Sequence, residues 1–152
     1  MARHPRSDLP PVGAYHVINR GVERRPIFLD EEDYTLFASL LRRAIRKFGW
    51  TAYAWVQMPN HFHLVVIAEL DRLFDGMHFL SFRYAEAFNE RYDRSGHLFQ
   101  GRFSAWSLEG EDDLGRVCAY VFDNPVRAGL CERVDHYRWT GGDFLDLVSD
   151  LR

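Results

Sequence analysis

Two β-prone runs, Trp50 to Gln57 and His61 to Ile67, meet across Met58-Pro59-Asn60. So short a link implies an antiparallel hairpin. The second run opens with His61 and His63, and because side chains alternate faces along a strand, both imidazoles point the same way and can share one cation. Leu64, Val65, Val66 and Ile67 follow on both faces, which makes the strand central and two-sided, a place where a polar pair needs partners. The pair reads either as half of a metal site or as two hydrogen-bonded imidazoles filling a sheet face.

The flanking segments extend this hairpin into a fold. Tyr15 to Asn19 alternates in β-prone composition and stops at Gly21. Asp30 to Phe48 is the clearest helix, with Asp30 as N-cap, acidic residues in the first turn and Tyr34, Phe37, Leu40, Leu41, Ala44, Ile45 and Phe48 at helical spacing. A second helix runs from after Asp71 to about Tyr92, with its aromatics directed to the core. Ser104 to Leu108 supplies a fourth strand. Strand, helix, strand, strand, helix, strand is the split βαβ order, so the expected class is α+β: a ferredoxin-like antiparallel sheet with helices packed on it. That fold by itself assigns no chemistry.

Acidic residues at Glu111, Asp112 and Asp113 open a third helix, on which Arg116, Tyr120 and Asn124 fall four apart on one face. Pro125 is expected to end or kink it, since the residue before a proline avoids the helical region. Tyr137-Arg138-Trp139 in the following tail is expected to pack. At 152 residues and 47% hydrophobic the chain suits a single domain over 1–152: an extended arm at 1–13, a core at 14–140 and a short tail at 141–152. No run of eighteen apolar residues and no apolar segment behind the N-terminal charges supports a membrane span or signal peptide, so a cytoplasmic protein is expected. Cys118 and Cys131 lack metal-binding spacing and read as structural.

A net charge of −3 argues against a generic nucleic-acid binder, but its distribution is uneven. Residues 1–50 carry nine basic and six acidic groups, residues 111–152 five basic and nine acidic. Arg20, Arg24 and Arg25, in the loop after the first strand, read as a solvated turn or as phosphate contacts at a strand end. Arg42, Arg43, Arg46 and Lys47 by default serve the helix dipole. Two glycines bracket His97-Leu98-Phe99-Gln100 before Arg102, which suggests a loop passing close to something such as a ligand backbone. If the histidines hold a hard divalent cation, a side-chain oxygen such as that of Asn124 is a third ligand, with water or phosphate oxygens completing the shell. Tyr120, one turn back, then becomes a candidate nucleophile. A phenol ordinarily ionises near pH 10, so it needs help, for which Arg116 is a candidate.

Met-Pro-Asn-His-Phe-His-Leu-Val-Val, Gly-His-Leu-Phe-Gln-Gly-Arg-Phe and Tyr120-Val-Phe-Asp-Asn124-Pro125-Val-Arg-Ala-Gly-Leu together resemble the single-tyrosine HUH transposases, and within them the REP-associated tyrosine transposases. The resemblance runs from about Gly13 to Trp139. It implies an HUH endonuclease fold acting on single-stranded DNA at hairpin-forming repeats, with Mg²⁺ or Mn²⁺ held by His61, His63 and Asn124. Tyr120 matches the nucleophile, giving a 5′-phosphotyrosine and a free 3′ hydroxyl. Gln100, Arg102, Arg116 and Arg24 are candidate DNA contacts. Val121-Phe122-Asp123 departs from relatives and places a carboxylate, Asp123, near the metal position. A homodimer with exchanged tyrosine helices and a monomer are both compatible. A metal-dependent hydrolase without a covalent intermediate, and a non-catalytic module on an RRM-like sheet, are the competing readings.

Overall fold

The structure, a computed structural model, describes residues 4–144. The first three residues of the arm and 145–152 of the tail lie outside the described residues. After a 3-10 turn at Arg6–Asp8 come β1 (Val12–Arg20), α1 (Glu31–Phe48), β2 (Thr51–Met58), β3 (His61–Glu69), α2 (Leu70–Arg91), β4 (Ser104–Leu108), α3 (Gly110–Arg127) and β5 (Thr140–Gly141). The antiparallel sheet has the order β4-β1-β3-β2-β5. The first four strands and two helices are the expected split βαβ arrangement, and the class is α+β.

Local signals account for the ends of α1. Asp30 accepts a hydrogen bond from the Asp33 amide at 3.1 Å, and Gly49 takes the left-handed conformation (φ 68°) that closes the helix. Two boundaries differ from expectation. β1 is nine residues, reaching back into the supposed arm, because β3 offers a partner as far as the Val12–Glu69 pair. β5 has only two residues and too little pattern to be read in advance; it forms because Trp139 accepts from the Gln57 amide at 2.9 Å and continues the edge of β2.

The sheet separates two packings. On one side α1 and α2 close over Tyr15, Val17, Phe62, Leu64 and Val66, all essentially buried, in the main core. On the other, α3 covers β2 and β3 through Cys118, Val121 and Phe122, packed on Ala54, Val56, Met58 and Val65. The Tyr137-Arg138-Trp139 stretch packs as expected. Tyr137 donates to the Gln57 carbonyl at 2.7 Å and Trp139 stacks on Tyr34 with centroids 4.7 Å apart. Helix α3 does not stop at Pro125 but runs to Arg127. Proline removes one amide donor, and only the short final turn lies beyond it. Both cysteines are free, and burial raises the Cys118 thiol to about 11.

Candidate active site

Strand alternation puts Phe62 and Leu64 into the main core and so directs His61 and His63 to the α3 side, with ring centroids 5.1 Å apart at 75°. A third imidazole joins them. His16 of β1 lies with Nε2 3.0 Å from His63 Nδ1, the ring centroids 5.2 Å apart and the ring planes within 15°. His16 and His63 are buried, and His61 is half-buried. The Nδ1 of His61 lies 2.7 Å from Asn60 Oδ1, while Asn60 Nδ2 donates to the Arg24 carbonyl at 3.3 Å. Desolvation lowers the pKa of His16 and His61 to about 4 and of His63 to about 2, with the charges of neighbouring histidines and arginines adding to the effect on His63 and Arg20 adding to that on His61. All three are neutral at pH 7, the form in which an imidazole nitrogen can ligate a metal.

Helix α3 brings Tyr120 to this row. Its ring stands edge-on 6.0 Å from His63 and 6.3 Å from His16, and the residue is 47% exposed. A large aromatic left this accessible beside buried imidazoles is free to meet a ligand. Asn124, one turn on, donates from Nδ2 to the Tyr120 carbonyl at 3.4 Å.

The cation on the Tyr120 ring is Arg127, its guanidinium carbon 4.2 Å from the centroid; it also bonds the Tyr120 carbonyl at 3.4 Å and Asp123 at 3.1 Å. Arg116 instead pairs with Asp113, one turn toward the N-terminus. Arg127 reaches back two turns only because the helix continues past Pro125. Asp123 is engaged by Arg127 rather than standing free beside the histidines.

Among the described residues, the β1–β4 half of this face beyond Tyr120 forms an open groove of about 630 Å³, whose lining includes Arg20, Gln100, Arg102, Trp106 and Tyr120. The 96–103 loop is pinned there: Gln100 donates to the Arg20 carbonyl and Val22 to the Leu98 carbonyl, both at 2.9 Å, with Leu98 and Phe99 buried. The loop therefore passes close to the end of β1 through Leu98, Phe99 and Gln100, whereas a Cβ at Gly96 or Gly101 would meet open space, so the glycines are not what the close passage requires. Arg102 also borders a neighbouring cleft of about 400 Å³ with Phe74 and Phe103. Arg24 lies at the back of the hairpin turn, its backbone in the left-handed region (φ 59°) and its carbonyl held by Asn60.

Three contributors were not read from the sequence as site residues: His16, Asn60 and Arg127. His16 carried the only available signal, a histidine within an alternating β-run. Among the described residues no three His, Cys, Asp or Glu side chains form a closed metal-binding cluster. His61 and His63 offer neutral imidazole nitrogens, and Asn124, a turn beyond Tyr120 on α3, keeps its amide oxygen available while Nδ2 bonds the Tyr120 carbonyl; these are nitrogen and oxygen donors of the kinds that ligate divalent cations.

The family model described as "Transposase IS200 like" matches residues 12–124. Among solved structures the chain is similar to a REP-associated tyrosine transposase bound to a REP hairpin, at 18% identity and a TM-score of 0.71, covering 92% of this chain and 82% of that one. It is also similar to a candidate transposase from Deinococcus radiodurans R1, at 18% identity and a TM-score of 0.53, covering 80% and 95%. No curated protein matches the chain. Among the described residues no helix is long and apolar enough to cross a membrane.

Proposed function

The chain belongs to the IS200-like transposase family, and from that premise we propose that it cleaves and rejoins single-stranded DNA through a covalent bond to Tyr120. The observation that carries this reading is the meeting of an exposed tyrosine with the His61–His63 row, brought to within 6.0 Å of His63 by a helix far along the chain. Packing of α3 on the sheet of its own chain, which sets Tyr120 beside His63, supports action in cis.

The Tyr120 phenol oxygen attacks the scissile phosphorus; a phosphorus–oxygen bond to tyrosine forms as the bond to the 3′ oxygen breaks. The phenol gives up its proton, and the leaving oxygen takes one up to become a 3′ hydroxyl. One ester replaces another, so that hydroxyl can later attack the phosphotyrosine and reseal a strand. His61, His63 and Asn124 would hold Mg²⁺ or Mn²⁺, which when bound withdraws charge from the phosphate and orients it. Arg127 over the ring holds it in place by a cation–π contact and sets a positive charge beside the phosphate that Tyr120 would attack. Arg20, Arg102 and Gln100 face the groove, where a strand leading to Tyr120 meets two guanidinium groups suited to phosphate. The similar transposase bound to a REP hairpin suggests single strands at the foot of hairpin repeats as substrate.

The test is incubation of the protein with labelled hairpin oligonucleotides and Mn²⁺ or Mg²⁺, followed by denaturing electrophoresis of wild type and Tyr120→Phe. A slow-migrating covalent band, absent in Tyr120→Phe and in chelator, is the expected result. Cleavage by both proteins without an adduct would make this a metal-dependent hydrolase. Metal-independent binding with no cleavage would leave a recognition module.

A further inference from the structure

We propose that His16 is a positioning residue that holds His63 in a single tautomer, with Nδ1–H directed at His16 Nε2 and the Nε2 lone pair of His63 presented to the cation. The inference rests on the metal reading given above.

A neutral imidazole has one N–H and one lone pair, so the partner of one nitrogen decides the chemistry of the other. For His61 the choice is visible. Its Nδ1 lies 2.7 Å from an amide oxygen, which can only accept, and Asn60 is oriented by its own Nδ2 donating to the Arg24 carbonyl. His61 therefore carries its proton on Nδ1 and a lone pair on Nε2. For His63 the partner at Nδ1 is His16 Nε2, 3.0 Å away, and both residues are buried. Were His16 the donor, His63 would carry its own proton on Nε2 and lose that nitrogen as a ligand. Only the opposite direction gives the pair matching tautomers. The two rings lie edge to edge in nearly one plane, 15° apart, which suits an in-plane hydrogen bond between these nitrogens, and Trp106 at 5.7 Å and the Tyr120 edge flank His16. Groups that bind the remote nitrogen of a metal-ligating histidine orient the ring and raise its basicity, and their loss typically weakens the metal by about 10–100-fold.

The experiment compares wild type, His16→Phe and His16→Gln. Nitrogen NMR of the metal-free protein reads the tautomers; calorimetry with Mn²⁺ reads affinity; thermal melting identifies a variant that does not fold. Expected are Nδ1–H at both His61 and His63 in the wild type, Mn²⁺ affinity lowered at least roughly tenfold in His16→Phe, and recovery of most of it in His16→Gln, whose amide oxygen can accept. An Nε2–H tautomer at His63 in the wild type overturns the inference, as does undiminished Mn²⁺ affinity in a folded His16→Phe. If His16→Phe does not fold, a folded His16→Gln in which His63 leaves the Nδ1–H form also overturns it. A wild type that binds no Mn²⁺ with Nδ1–H present at both histidines instead overturns the metal reading and takes this inference with it.

Discussion

One strand, β3, builds both faces of the sheet, and the faces have opposite chemistry. Phe62, Leu64 and Val66 go to the α1–α2 side, where apolar side chains close around them. His61 and His63 go to the α3 side, where the apolar cluster is small and gives way to an open groove. The lesson lies in burial without closure: the histidine row is dry enough to keep its imidazoles neutral, yet Tyr120 at its edge stays half in solvent. One face supplies the stability that lets the other hold polar groups in place.

Substitutions that separate the faces test this division. His61→Ala, on the α3 face, should cut cleavage by roughly a thousandfold, since metal assistance is worth several kcal/mol in the transition state. Binding of a hairpin oligonucleotide by gel shift should survive, and equal loss of both would show that the two faces are not separable. Phe62→Ala, one residue away, should do the reverse, lowering stability by about 3–5 kcal/mol in denaturant unfolding. A loss below about 1 kcal/mol would mean that the α1–α2 side is not the closed core described.

Acid should expose the histidine side first. The folded pKa of His16 is about 4 against an ordinary 6.5, so between those values the unfolded chain binds the extra proton and stability falls as pH falls. For His16 alone the loss in metal-free protein approaches roughly 3 kcal/mol by pH 4. A stability profile flat from pH 6.5 to 4 would show that these imidazoles are solvated like surface groups. The smallest effect belongs to Arg127→Gln, which removes an exposed cation from the Tyr120 ring. Adduct formation should slow by about two- to fivefold, the equivalent of an exposed cation–π contact, with melting unchanged.

Much of this architecture was legible in the chain. The capping aspartate and glycine of α1, the three-residue link before His61 and the acidic opening of α3 are local signals, and each element they announce is present. The same holds for Tyr120 and Asn124 on one helical face, since four-residue spacing means adjacency wherever the helix goes. Pro125 does not end the helix at that residue, and α3 closes one short stretch later, at Arg127. Phe122 and Pro125 are both buried, and the last turn follows.

What residue order alone determined was periodicity: which side chains share a strand face or a helix face, because two-residue and 3.6-residue repeats are properties of the backbone. What only the tertiary structure decided was which faces meet. Nothing near His16 in the chain announces His63, forty-seven residues on, and the 3.0 Å contact exists because β1 pairs with β3 in one register. Nor does α3 announce the sheet it will cover or which of two arginines reaches the tyrosine. Those outcomes depend on long-range pairing and on the small apolar patch where Cys118, Val121 and Phe122 find β2 and β3, a fit between surfaces that no local sequence pattern encodes.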